Sequence, residues 1–415
     1  MKEVMIPAIQ TMVRLFNGGR FTAAVLIGGV IWGLGLPAVS LGQTHQVPLT
    51  QLYQTDIRAM AMGNAYGPVA RGEGALLYNP AGLAQFDADV KLEASLAAES
   101  GSIPFLQDTF ALFGGPGVSS PTMVKYLTKY HGTIQDFRYQ TFHSIVINLA
   151  KFYSGFGYAT MTNKRYSLQF QDTVANGTVD PGDTLIWNET YLSAQFVGGA
   201  LALWDGKLLM GATQKQISYE EKPTAVTYAS LLASGSLSTT AVGTTYQTKP
   251  RDLGMLYRME AFSSLRGMWS LTALNLGGAT LTSPTGNLNS PLMVNTGLSF
   301  APKFGPLELI LAGEVEDILD AGRVWNPVLL KGFNRSLAQR THYGAELGLF
   351  QTTTGNHIFS VRGGYNRGLP VYGAEINLFS VLRVAYVHFQ DDWGYKGAPA
   401  RTKTTALHVG IGFGF

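Results

Sequence analysis

Five glutamates and one arginine, Glu308, Glu314, Glu316, Glu346, Glu375 and Arg362, fall where alternating strands would turn them to a common side. Arg362 and Glu375 are about equally far from a shared turn near residue 368, so they are placed to pair across neighbouring strands. Such charges suit one of two roles. They could gate a passage or contact a ligand carboxylate, or they could be an ion-pair network that fills an interior. The network is the simpler reading, because an Arg turned towards hydrocarbon costs roughly 2–4 kcal/mol and charges must be housed somewhere. A catalytic constellation is harder to find. None of His45, His131, His143, His342, His357, His388 and His408 sits in an H-E-x-x-H pattern, and no G-x-S-x-G occurs. No nucleophile, base and orienter stand out, so no catalytic residue, metal or cofactor is expected. The one enzymatic arrangement left open is His408 beside a Ser and an Asn of adjacent strands, as in a barrel phospholipase. Asp391, Asp392, Glu220 and Glu221 read as loop acids that could hold calcium or a cation bridging lipopolysaccharide, although such acids are more often simply solvated.

The elements that carry these residues alternate with a period of two. In "TTALHVGIGFGF", Leu407, Val409, Ile411, Phe413 and Phe415 share one face, while His408 and three glycines share the other. "HYGAELGLF" repeats the pattern, with Tyr343, Ala345, Leu347 and Leu349 opposite Gly344, Glu346 and Gly348. So do "IFSVRGGYN" and "PLELILAGEVED". Large apolar residues on one face, with glycine and charge on the other, suit a membrane barrel whose outside meets lipid and whose inside is wet or paired. Fourteen such segments start near residues 88, 137, 152, 184, 207, 243, 266, 289, 304, 339, 355, 369, 380 and 403. Tight turns are expected at Asp205-Gly206, Gly305-Pro306, Thr354-Gly355-Asn356 and Phe379-Ser380, and long polar loops near 101–136, 172–183, 220–242, 319–338 and 391–402. One connection on the loop side, "NRGLP" at 366–370, is short. Trp187, Trp204, Trp269, Trp325, Trp393, Tyr153, Tyr158 and Tyr395 fall near strand ends, where a barrel carries aromatic girdles. Twelve or sixteen strands are the alternatives to fourteen, and a soluble array of β-sandwiches is the alternative fold.

Composition agrees with the barrel. The 415 residues are 46% hydrophobic but only 14% charged, against about 25% for soluble domains. Cysteine is absent, which removes disulfides, thiol catalysis, Cys-ligated zinc and lipoprotein acylation. A net charge of +3 without basic clusters leaves no nucleic-acid footprint. Lys2, Arg14 and Arg20 precede an uncharged run from Phe21 to Gly42, and Ser40 and Gly42 suit a signal-peptidase site before Gln43. Residues 1–42 are therefore expected to be a signal peptide, with a single membrane helix as the alternative.

Between leader and first strand lies "QLYQTDIRAMAMGNAYGPVARGEGALLYNPAGLAQF" (51–86), where alternation is poor and small residues dominate. Pro80 fixes its own φ and biases Asn79 towards extended geometry, and Gly82 permits a tight reversal. This stretch resembles the N-terminal signature of the FadL-like outer-membrane proteins, which include long-chain fatty-acid and aromatic-hydrocarbon transporters. The resemblance implies that residues 43–86 form a hatch inside a fourteen-stranded barrel of residues 87–415. It carries over to Arg58, Gly63, Ala65, Tyr66, Asn79, Pro80, Ala81 and Gly82. The chain departs from the family pattern at Asn64, where a second glycine is usual, and near Arg71 and Gly72, where acidic residues are usual. The last third, with "LILAGEVEDIL", "THYGAELGLF", "FSVRGGYN" and "VLRVAYVHF", is similar to the PorV-type branch, whose members include a component of type IX secretion.

The fold expected is thus an all-β transmembrane antiparallel barrel of about fourteen strands with an N-terminal luminal hatch. It would be a monomer in the outer membrane of a Gram-negative-type bacterium, among lipids and lipopolysaccharide. Phe413 and Phe415 would be the C-terminal signal for the barrel-assembly machinery. The resemblance implies uptake of hydrophobic small molecules; the alternative is a PorV-like barrel that docks secreted or surface proteins.

Overall fold

The computed structural model describes residues 56–85, 90–100, 107–108, 120–131, 134–149, 153–173, 178–234, 243–283, 286–290, 292–319, 323–326, 331–334, 336–351, 357–379, 381–392 and 401–414. The expected leader (1–42), the Thr354-Gly355-Asn356 turn, Ser380, Trp393, Tyr395 and Phe415 lie outside them.

Alternation becomes fourteen antiparallel staves. They are β1 (Val90–Ser100), β2 (Ile134–Leu149), β3 (Ser154–Gln171), β4 (Thr184–Leu203), β5 (Leu208–Thr227), β6 (Thr244–Thr248 and Arg251–Arg258) and β7 (Met268–Leu274 and Ala279–Ser283). The rest are β8 (Gly286–Ser290 and Met293–Phe300), β9 (Leu307–Val315), β10 (Thr341–Gln351), β11 (His357–Asn366), β12 (Leu369–Leu378), β13 (Leu382–Asp392) and β14 (Arg401–Gly414). Each pairs with its sequence neighbour, and β1 pairs with both β2 and β14, which closes the sheet. Closure leaves no edge with unpaired backbone groups, the condition for strands to stand in hydrocarbon. The fourteen starts read from the sequence lie within about three residues of those observed.

The two faces sort as the pattern requires. Leu407, Val409, Ile411 and Phe413 are exposed on the outside, as are Tyr343, Leu347, Val361 and Tyr365, while Glu346, Arg362 and His408 are buried within. An exterior of this kind is stable against hydrocarbon rather than water. No helix among the described residues is long and apolar enough to cross a membrane.

Stave length is uneven. β9 to β13 have 9–11 residues, about what a tilted spanning strand needs, whereas β2 to β5 have 16–20. Because β4 and β5 pair flush at the short-turn rim (Leu203 with Leu208), the excess stands on the long-loop rim. One expectation is corrected here. Residues 220–227 continue β5, so Glu220 and Glu221 are strand residues, and Asp391 and Asp392 end β13 rather than lying in a loop. On the outer face of this extension, Tyr166 stacks on Phe137 at 6.4 Å and meets Trp187 at 5.5 Å. Beyond that band, Leu168, Phe170 and Leu185 are buried beneath the Ser120–Tyr130 and Tyr228–Ser234 helices.

Candidate functional site

Residues 56–85 lie inside the barrel. Asp56 caps the Ile57–Ala61 helix by accepting from the Ala59 N–H at 2.9 Å, and that helix packs against β11, β12 and β13. The chain then turns through Gly72–Gly74 and Ala75–Tyr78 into the Pro80–Gln85 turn, which touches β3, β4, β5 and β6 on the other side. Backbone lies directly on wall at both ends. A Cβ on Gly344 would collide with the Met62 carbonyl, and one on Gly254 with the Asn79 side chain. The glycine-rich inner face is the seat of this segment.

Gly63 and Asn64 both adopt positive φ, +66° and +62°. Asparagine is among the residues that best tolerate this region after glycine, so Asn64 suits the backbone it occupies. Asn79 is fully buried. Its Nδ2 donates to the carbonyls of Gly67 (3.2 Å) and Met255 (3.3 Å), and its Oδ1 accepts from the Ala81 N–H (3.2 Å). The Asn-Pro-Ala turn is thereby tied both to its own segment and to β6. Gly82 fits against the Ala70 carbonyl, where a larger residue would not. Tyr66 lies edge-on to Tyr78 at 5.1 Å and beneath the Arg58 guanidinium at 5.6 Å.

The charges converge on the same segment. Arg58 donates to both oxygens of Glu346, at 2.7 Å from Nε and 3.2 Å from Nη2. Arg362 donates to Glu346 (2.7 Å) and Glu375 (2.9 Å), so the expected Arg362–Glu375 pair forms. It forms diagonally, since Arg362 faces Gly373 and Glu375 faces Ser360 in the register. Arg383 carries the chain on, 3.1 Å from Glu375 and 3.3 Å from Glu93, and Lys91 sits 2.6 Å from Glu73 and 3.4 Å from Glu93. Four cations thus face four carboxylates, with Arg58 and Glu73 contributed by the segment and the others by the wall. Burial alone would raise the pKa of Glu73, but Lys91, with the Glu93 hydrogen bond and Arg383 behind it, outweighs burial and holds the carboxyl below the usual carboxylate range. His357 bridges Glu346 (3.0 Å) and Glu308 (2.9 Å), and Arg266 closes on Glu308.

Glu314 and Glu316 stand apart from that chain. Glu314 accepts from the Gly67 N–H at 2.7 Å. Glu316 lies 3.4 Å from His342, whose other nitrogen is 2.9 Å from the Gly63 carbonyl. Lys91, Glu93, His342, His357 and Arg383 were not singled out as a set from sequence. The signal for the first two was present in "VKLEASL", where Lys91 and Glu93 alternate with Val90, Leu92 and Ala94. His408 is buried opposite Ala97 and Ala385 on its two neighbours.

The opposite inner wall is apolar. Phe142, Val146, Met161, Leu192, Phe196 and Ile217, on β2 to β5, form one buried cluster with Leu76, Leu77 and Leu83 of the segment. The interior is therefore two-sided, with a continuous ion-pair chain along β10–β14 and β1 and, along β2–β5, an apolar cluster bordered by the buried Lys215–Asp252 pair.

The toluene transporter TbuX of Ralstonia pickettii is similar in structure, with a TM-score of 0.51 at 12% identity over 91% of this chain and 100% of that one. The monoaromatic hydrocarbon channel TodX, as its ΔS2S3 mutant, gives 0.50 at 13% identity over 86% and 97%. At this identity the likeness shows the fold, and that fold is the one the FadL-like resemblance implies. No protein-family model matches the chain, and no curated protein matches it.

Proposed function

We propose that this chain, a fourteen-stranded barrel of FadL-like fold, stands in the outer membrane and takes up hydrophobic small molecules past its inserted segment. The observation that carries the reading is the two-sided interior. Ion pairs fix residues 56–85 against one wall, while Phe142, Met161, Leu192 and Phe196 of the other wall pack on Leu76, Leu77 and Leu83, an apolar surface that suits a hydrophobic ligand wherever the segment yields it. Such ligands cross a polysaccharide layer poorly, so an apolar site at the loop side has a use there. Within this reading residues 43–86 act as the hatch and the long-loop rim faces outward. Arg58, Glu346, Arg362 and Glu375 set the closed position, and Phe413 and Phe415 serve the assembly machinery. The comparisons give no support to a protein-docking barrel.

The test is native mass spectrometry of the detergent-purified mature protein, followed by competition with added oleate and added toluene. A co-purified hydrophobe displaced by either probe is the expected result. A barrel that carries no small molecule, and binds neither probe in saturable fashion, would overturn the uptake reading.

A further inference from the structure

The covered outer face of the long staves carries a second constellation, remote from the lumen. Gln171 and Thr184 are the last paired residues of β3 and β4, so Asp172 and Asp183 follow them at the next level, across from each other. Strand neighbours stand about 4.8 Å apart. Both aspartates continue the alternation of Phe170 and Leu185, hence the face on which the Ser120–Tyr130 helix lies. His131 follows the last residue of that helix. Its Nε2 is 3.2 Å from Asp183 Oδ2, and donor atoms of all three residues lie within 4.8 Å of one another.

Two features mark this as a built site. The Asp183 side chain is fully buried and is aimed by backbone donors, Thr173 N–H to Oδ1 at 2.8 Å and Asp180 N–H to Oδ2 at 2.7 Å. Outer donors of this sort orient metal ligands, and each carboxylate oxygen keeps a further lone pair. The spacing also fits. Ligands held about 2.0–2.1 Å from a tetrahedral zinc are roughly 3.3 Å apart, which is the separation of His131 and Asp183.

We propose that His131, Asp172 and Asp183 form a divalent-cation site of the zinc class, which clamps the Ser120–Tyr130 helix to the rim of β3 and β4. One imidazole and two carboxylates, completed by water, suit zinc or cobalt; calcium and magnesium require six or more oxygen ligands. The cation occupies the position between His131 Nε2 and Asp183 Oδ2, so binding displaces whatever proton the imidazole nitrogen carries. Neither the lumen network nor the proposed uptake function is needed for this site, so the two readings stand or fall separately.

The test uses the full mature protein in detergent, stripped with chelator and titrated with Zn²⁺ by calorimetry and with Co²⁺ by visible absorption. One equivalent is expected, with the intense ligand-field bands of tetrahedral cobalt. His131→Ala and Asp172→Asn should each weaken binding at least about tenfold, while His143→Ala, which lies opposite Thr160 and far down the staves from Asp172, should leave it unchanged. Heat-modifiable gel migration reports that each variant barrel is folded. Wild-type protein that binds no Zn²⁺ or Co²⁺, or binds only calcium, would overturn the proposal without recourse to any variant. So would undiminished affinity in folded His131→Ala.

Discussion

At the residue scale, Asn79 shows how one side chain can hold a turn inside a barrel. It is buried among backbone groups of three different stretches, and its hydrogen bonds satisfy the Gly67 and Met255 carbonyls and the Ala81 N–H. Asn79→Ala leaves the carbonyls of Gly67 and Met255 and the N–H of Ala81 short of a partner, at about 1–3 kcal/mol for each group left unsatisfied. The barrel wall does not depend on those bonds. The expected outcome is normal heat-modifiable migration together with faster hydrogen exchange across residues 67–83. Unchanged exchange would mean that the turn is held by Pro80 and its packing alone. Glu346 is the charged counterpart, shared by Arg58, Arg362 and His357. Buried pairs of this kind recover little net energy after desolvation, but deleting one partner strands the others. We propose that their use here is to fix where the segment sits.

At the element scale, the inserted segment is held at one end by charge and at the other by apolar contact, and the two respond differently to pH. Glu73 is the segment's own carboxylate in the Lys91–Arg383 group. Its folded pKa lies below the unfolded value of about 4.3, so its contribution is complete above the unfolded value. That contribution erodes as pH falls below about 4.3 towards the depressed folded value. In planar bilayers, leak conductance is therefore expected to rise across that window and to fall again on return to neutral pH. Glu73→Gln should leak at neutral pH and lose most of the response. A wild-type conductance flat from pH 5 to 2 would show that the charged end does not hold the segment in place. The opposite end, where Leu76 and Leu83 pack among Phe196 and Met161, is held by apolar contact and should stay docked.

At the scale of the whole molecule, strand number, closure and the inside-outside sorting were legible in the sequence because period-two alternation is local. "HYGAELGLF" needs no partner to reveal which side Glu346 takes. Two things were not legible. Residues 220–227 read as loop because "EEKPTAVT" is charged and contains Pro223, yet they continue a stave that rises past the apolar band, where a polar strand is stable. The ion-pair chain was only half visible, since Glu93 meets Arg383 across the β1–β14 closure, a neighbourhood that exists only once the barrel shuts.

The apolar band itself makes the last prediction. Leu347 and Glu346 are consecutive on β10, one exposed on the outside and the other buried within. A one-residue change of side is thus a change of solvent. Leu347→Arg places a guanidinium against hydrocarbon, where midplane charges cost roughly 2–4 kcal/mol, falling towards zero near the interfaces. Thr405, on β14 at the long-loop end, is half-buried and near the interface, so Thr405→Arg should cost far less. Urea unfolding in lipid vesicles measures the difference. Equal penalties at both positions would mean that the exposed leucines face something other than a bilayer, and the band would then need a protein or detergent-like partner to cover it.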